Sequence, residues 1–205
     1  MKMFKKIGCL SSFLSILLLL CMTQVSALET DWNHSYQLET AGKYAEALNV
    51  IENVSVSDAE LAALRRGWLY YLQGSFSESI RHYRFAVERN SQSVEARLGL
   101  TLPLLAQKRW SEAEQNSKAA LEISPNNYTA LLRLAIALEG QRDWTALKKA
   151  GTVLVTRYPS DATAYVYLAR ANAWLYNRTE AVAAYRAVLS RSPGHLEAIA
   201  YLEKK

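Results

Sequence analysis

The sequence predicts an all-α protein, a solenoid of about five stacked helix pairs that ends in a C-terminal capping helix. Pro125, Pro159 and Pro193 recur every 34 residues, and each follows a segment with helical spacing of apolar residues. The 205 residues include only 8 Gly and 4 Pro, which is too few for a turn-rich β-sandwich or barrel. Because one short helix pair cannot bury its apolar face alone, neighbouring pairs must stack.

The first 27 residues have the three-part pattern of a cleavable N-terminal signal helix. Lys2, Lys5 and Lys6 precede an apolar stretch centred on residues 13–22, and the small residue Ala27 ends the segment. This pattern predicts cleavage after Ala27 and a periplasmic or secreted mature protein. Both cysteines lie in the removed segment, so the mature protein must be held by packing without disulfides. An uncleaved inner-membrane anchor is the alternative, because the apolar run nearly reaches the length that spans a bilayer.

The rest of the chain divides on the 34-residue register. The predicted units are 28–59, 60–93, 94–127, 128–161 and 162–195, followed by a capping helix at 196–205. In the third unit, one apolar stripe ends near Leu105 and a second begins at Trp110, after a polar break. Pro103 lies about ten residues into the first helix of that unit and predicts a kink there.

Capping signals predict where several helices begin. Three sites have the spacing of a capping box, in which two side chains satisfy each other's free backbone amides. They are Ser57–Glu60, Ser75–Glu78 and Asn177–Glu180. Asp143 directly precedes Trp144 and is a predicted N-cap.

The period, the helix pairs and the phased small and aromatic residues resemble the tetratricopeptide repeat family. The matching positions are the large apolar Leu100, Leu134 and Leu168, the small Gly67, Ala135 and Ala169, the close-packing Ala47, Ala113 and Ala181, and the aromatic Tyr83 and Tyr185. The resemblance covers essentially all of the chain after residue 27. The first unit departs from the pattern, with His34 and Ser35 where leucine and glycine are usual.

The resemblance implies a superhelix whose first helices line a concave, ligand-binding face. The residues at the ligand-facing positions form the predicted partner-binding groove: Trp32, Tyr36, Leu64, Trp68, Tyr71, Leu98, Leu102, Leu105, Leu132, Ile136, Val166, Arg170 and Trp174. An apolar groove suits an amphipathic helix or an extended apolar segment. The alternative is that these side chains bury one another between neighbouring first helices. The lysine and asparagine with which some family members clamp a terminal carboxylate are absent from these positions, so we do not expect an acidic tail as ligand.

The sequence offers no catalytic constellation. His34, His82 and His195 lie far apart in the register, and neither a metal-ligand spacing nor a nucleophile motif occurs. We therefore expect no enzyme activity, no cofactor, no metal and no small-molecule substrate. Removal of the three N-terminal lysines lowers the formal net charge from +5 to +2, which takes away the compositional support for nucleic-acid binding.

These patterns favour a non-enzymatic periplasmic scaffold or adaptor that binds another envelope protein through the apolar groove. The resemblance implies a role in assembling an envelope complex, such as pilus, secretion, exopolysaccharide or cytochrome machinery. One alternative is a self-associating structural protein, a homo-oligomer joined through an uncapped apolar face. Another is a protein that stays anchored in the membrane by an uncleaved N-terminal helix.

Overall fold

A computed structural model of the protein describes residues 31–52 and 59–203, which form eleven helices and no strand. The predicted signal segment, with its cleavage site at Ala27, and the predicted cap at Ser57 lie outside these residues. The helices are α1 (31–40), α2 (Tyr44–Val50), α3 (Ala59–Leu72), α4 (Phe76–Arg89), α5 (Val94–Ala106), α6 (Trp110–Ile123), α7 (Tyr128–Gln141), α8 (Trp144–Arg157), α9 (Ala162–Trp174), α10 (Arg178–Leu189) and α11 (Leu196–Glu203).

The helices are arranged as a ladder of nearest neighbours. From α2 onward each helix packs against the next one along the chain, and α3, α5, α7 and α9 also pack against each other in order. This is the predicted all-α solenoid, with the first helices of successive units side by side. Helix α5 continues through the buried Pro103 to Ala106.

A residue in the left-handed conformation precedes the second helix of every unit. These residues, at the same phase of the register, are Gly42 (φ 73°), Gly74 (φ 76°), Lys108 (φ 57°), Arg142 (φ 60°) and Tyr176 (φ 59°). Glycine adopts this conformation without a steric penalty, whereas each residue with a Cβ pays roughly 1–2 kcal/mol. The turn inside the helix pair is therefore kept even where its residue type is unfavourable.

The predicted caps had mixed outcomes. Asp143 is confirmed as an N-cap, because its Oδ1 accepts a bond from the Ala146 N–H at 2.9 Å. The predicted capping boxes at Ser75 and Asn177 are wrong, since neither side chain caps its helix. The backbone N–H of Ser75, to which Glu78 would bond in a capping box, is already bonded to the Tyr70 carbonyl at 2.9 Å. Asn177 instead donates from Nδ2 to Oδ1 of Asn172 at 3.2 Å.

Candidate interaction surface

Side chains of α1, α3, α5 and α7 line a cleft of about 580 Å³ on the face formed by the first helices. We call this the concave cleft. Its lining residues are Tyr36, Glu39, Leu61, Leu64, Arg65, Trp68, Tyr83, Val94, Glu95, Leu98, Gly99, Asn127, Thr129 and Arg133. The lining combines apolar side chains with a few charged ones, as is common where one polypeptide holds another.

A buried ion pair closes the N-terminal side of the concave cleft. The Arg65 guanidinium is bonded to the Glu39 carboxylate, and it also donates to the Ser35 carbonyl at 2.9 Å. Glu39 in turn accepts from Nε1 of Trp68 at 2.7 Å, and the guanidinium lies 3.9 Å from the centre of the Tyr36 ring. Nε and Nη2 of Arg65 also donate to Oγ of Ser35 at 3.2 Å, an acceptor that the glycine usual at this position would lack.

Tyr83 reaches the floor of the concave cleft from α4 by passing between two glycines. A Cβ at Gly67 would lie 2.8 Å from the Tyr83 ring, and a Cβ at Gly99 would lie 2.1 Å from it. The ring is 4% exposed, and burial raises the pKa of the Tyr83 phenol well above its usual range. The missing side chains of α3 and α5 thus make the slot that the aromatic ring fills.

Arg133 on α7 is a half-buried cation in the same cleft. Its Nη1 donates to the Leu98 carbonyl and, at 3.0 Å, to Oγ1 of Thr101, both on α5. Among residues 31–52 and 59–203, no carboxylate lies within 4.0 Å of its guanidinium. Burial lowers the pKa of Arg133 from its ordinary value, because desolvation disfavours the charged form.

The C-terminal side of the same face is held by a second arginine. Arg170 on α9 bonds Glu139 of α7 at 3.0 Å and Glu197 of α11 at 2.5 Å. Glu197 also accepts from the Tyr185 hydroxyl at 2.7 Å. The hydrogen bond from Arg170 holds the pKa of Glu197 below its usual range. This network fastens the capping helix to α7, α9 and α10.

Family models for the tetratricopeptide repeat match residues 64–128 and 163–195, and the helix pairs stack in the order that such repeats require. The chain is a tetratricopeptide repeat protein. The prediction from the 34-residue period is thereby confirmed.

The fold of this tetratricopeptide repeat protein is similar to that of several solved structures. MamA residues 41 to the end, from Desulfovibrio magneticus RS-1, gives a TM-score of 0.74 at 15% identity over 83% of this chain and 97% of that one. A MamA double mutant gives 0.74 at 18% identity, over 82% and 97%. YrrB, a tetratricopeptide repeat protein with an unusual peptide-binding site, gives 0.73 at 17% identity, over 83% and 89%. No curated protein matches the chain.

The residues predicted for the groove of this tetratricopeptide repeat protein separate into three sets, of which the third lies on α9. Tyr36, Leu64, Trp68 and Leu98 line the concave cleft. Half-buried side chains beside or beyond it are Trp32, Tyr71, Leu102, Leu105, Leu132 and Ile136. Of these, Tyr71 stacks on Trp68 with ring centres 5.7 Å apart, and Trp32 packs against the N-terminal core.

The α9 part of the predicted groove lies outside the concave cleft, and Val166 and Arg170 line a separate cleft of about 350 Å³. Val166 is only 7% exposed and packs with Ala169 and Tyr185, so it offers little surface to a partner. Arg170 is occupied by its two carboxylates. Trp174 is exposed but stacks on Trp144 of α8 at 5.1 Å, away from the concave cleft. At α9 the alternative of mutual burial therefore describes Val166 better than an open groove does.

Among the cleft residues absent from the predicted groove, Tyr83, Glu95 and Arg133 bear most on its chemistry. Tyr83 belongs to a second helix, and Arg133 stands one position after Leu132, which occupies the ligand-facing phase. One available signal was a basic residue on an otherwise apolar first helix. The other signal was the pair of glycines Gly67 and Gly99, which lie two positions apart in the repeat register and leave room for an aromatic ring.

Three further observations concern metal binding, the histidine of α4 and membrane-spanning helices. No group of three His, Cys, Asp or Glu side chains that could hold a metal occurs in the part of the chain that the structure describes. His82 is a packed residue that stacks on Tyr70 at 5.2 Å, and burial lowers its pKa to about 4. Within the described ranges, no helix has the length and apolar character needed to cross a membrane.

Proposed function

We propose that this protein is a non-enzymatic adaptor that holds an apolar segment of another envelope protein in the concave cleft. Its tetratricopeptide repeat fold supports a role in protein–protein interaction. The observation that carries the finer proposal is the cleft of about 580 Å³ itself, which takes apolar side chains from successive first helices. Such a groove suits an amphipathic helix or an extended apolar strand. By holding this segment, the protein would support the assembly of an envelope complex.

The exposure of the cleft residues supports a docking role over mutual burial. Leu61 is 49% exposed and Tyr36 is 52% exposed, so both keep apolar surface open on the wall of the concave cleft. Leu64 and Trp68 pack against the core with one side and line the cleft with the other. A large apolar surface that remains open in a single chain is favourable to cover with a partner.

Crosslinking in cells tests the site of binding. A photoreactive residue at Leu61 should give a discrete product with another protein, whereas the same residue at the exposed Phe85 of α4, outside the cleft, should not. The Trp68→Ala substitution should lower the yield at Leu61 by about tenfold or more, because a tryptophan in a pocket commonly dominates an interface.

The crosslinked products separate the alternatives. A product at Leu61 that contains only a second copy of this chain would favour the self-associating protein instead. Equal yields at Leu61 and Phe85, or a yield at Leu61 that Trp68→Ala leaves unchanged, would contradict docking in the concave cleft. Thermal unfolding followed by circular dichroism establishes that the Trp68→Ala chain is folded.

Export is the second part of the proposal. It is supported by the charged, apolar and small-residue segments of residues 1–27. Protein isolated from the periplasm should begin at Leu28 when its N-terminus is sequenced. A chain that retains residue 1 and fractionates with the inner membrane would instead establish the anchored form.

A further inference from the structure

We propose that the concave cleft selects a partner segment that carries one carboxylate among apolar side chains, and that Arg133 receives this carboxylate. The inference rests on the proposed function, since it concerns what the same cleft recognises. The occupant is an apolar stretch of another protein with a single Asp or Glu, rather than a strongly acidic tail.

Comparison of the three arginines that the first helices place on the concave face carries the inference. The other two arginines of the described first helices, Arg66 and Arg97, bond backbone carbonyls elsewhere. Arg65 has Glu39 as its counter-ion, and Arg170 has both Glu139 and Glu197. Arg133 is half-buried like Arg170, yet its guanidinium has no carboxylate within 4.0 Å in the described ranges. Two of the three cations are thus neutralised inside the protein, and the third faces the cleft without an internal counter-ion.

The contacts of Arg133 leave it able to bind an anion. Within the described residues its bonds both come from Nη1, to the Leu98 carbonyl and the Thr101 hydroxyl, and the other guanidinium donors make no hydrogen bond there. Those two acceptors are neutral, and they hold the side chain across α5 without compensating its charge. A planar guanidinium fixed in this way pairs well with a carboxylate, and partial desolvation strengthens such a bond.

The other charges of the concave cleft limit what can bind. Glu39 is already engaged by Arg65 and Trp68. Glu95 is an exposed carboxylate of the lining, and it makes no ion pair within 4.0 Å in the described part of the chain. A segment with many acidic residues would therefore be repelled by Glu95, whereas a single carboxylate can reach Arg133. The apolar neighbours Leu61, Leu64 and Leu98 favour apolar residues on either side of it.

Selection from a display library of random 12-residue peptides tests the inference. The baits are the unsubstituted protein and its Arg133→Gln and Arg142→Gln variants. Arg142→Gln is the control, because it removes the same charge from an exposed turn. We expect the unsubstituted protein and Arg142→Gln to enrich apolar peptides with one Asp or Glu. Arg133→Gln should enrich apolar peptides without that acidic residue.

A synthetic peptide from the selection then gives the affinity. Replacing its acidic residue by the amide should weaken binding to the unsubstituted protein about tenfold or more, as expected for a charge-assisted bond, and should not change binding to Arg133→Gln. The Glu95→Gln variant should bind the acidic peptide more tightly, because a repulsive charge is removed. Thermal unfolding checks that each variant is folded.

The outcomes distinguish this inference from the proposed function. Enriched apolar peptides that lack an acidic residue, or an acidic preference that persists in Arg133→Gln, would overturn the role of Arg133 and leave the apolar groove in place. No enrichment on the unsubstituted protein, or peptides that bind Trp68→Ala equally well, would overturn the groove itself and the inference with it.

Discussion

Gly99→Ala is expected to destabilise this protein by about 2–3 kcal/mol, although the same change inside an ordinary helix stabilises it by up to about 1 kcal/mol. The opposite sign follows from the slot that holds Tyr83. The new Cβ would lie 2.1 Å from the Tyr83 ring, and α3 packs on the other side of the ring so closely that a Cβ at Gly67 would lie 2.8 Å from it. Overpacking must then shift the ring or separate α3 from α5.

Urea unfolding monitored by circular dichroism measures this effect. Gly194→Ala is the matched control, since its Cβ would meet no atom within 4 Å, and we expect a change below about 0.5 kcal/mol. The double variant Gly99→Ala/Tyr83→Leu should recover part of the loss, because the smaller side chain frees the slot. A Gly99→Ala protein more stable than the unsubstituted one would show that the ring is not confined as described.

Glu39→Leu is expected to destabilise the N-terminal unit by about 3 kcal/mol, because it leaves the buried Arg65 cation without its counter-ion. The Arg65 side chain is only 4% exposed, and its other acceptors are the neutral backbone and hydroxyl oxygens of Ser35. Glu39→Leu also removes the acceptor of the Trp68 N–H. Both groups would then be desolvated without full compensation.

A second substitution separates charge from packing. Glu39→Leu/Arg65→Leu should regain most of the lost stability, since replacing both members of a buried pair by apolar residues is commonly near neutral. Glu78→Leu is the control, because Glu78 pairs with Arg81 on the surface and its loss should change stability by less than about 1 kcal/mol. Equal losses for Glu39→Leu and the double variant would contradict a charge-based origin.

The repeat architecture could be predicted because the residues that determine it recur in the sequence with a single period. Prolines, aromatic residues and small residues recur every 34 positions, and tight packing tolerates few alternatives at those places. The turn inside each pair was harder to foresee. Gly42 and Gly74 show the left-handed position, but Lys108, Arg142 and Tyr176 adopt it against their own preference, since the neighbouring helices fix the turn.

The site could be predicted only in part, because the repeat register gives the direction of a side chain but not the residues of other helices that contact it. Register identified Trp68 and Leu98, which line the concave cleft. It also placed Arg170 in the groove, although Glu139 and Glu197 occupy it from other units. The role of Arg133 depends on the absence of a carboxylate within 4.0 Å among the described residues, which the register alone does not reveal.

The concave cleft draws its wall from four consecutive units, with Tyr36, Leu64, Leu98 and Arg133 each contributed by a different helix. In a solenoid whose helix pairs contact only their neighbours, a terminal pair can unfold locally without destabilising the rest. A partner segment that contacts all four units would oppose this local unfolding of the terminal pair. The N-terminal hairpin would then be firmest when the protein is occupied, so that occupancy and rigidity rise together.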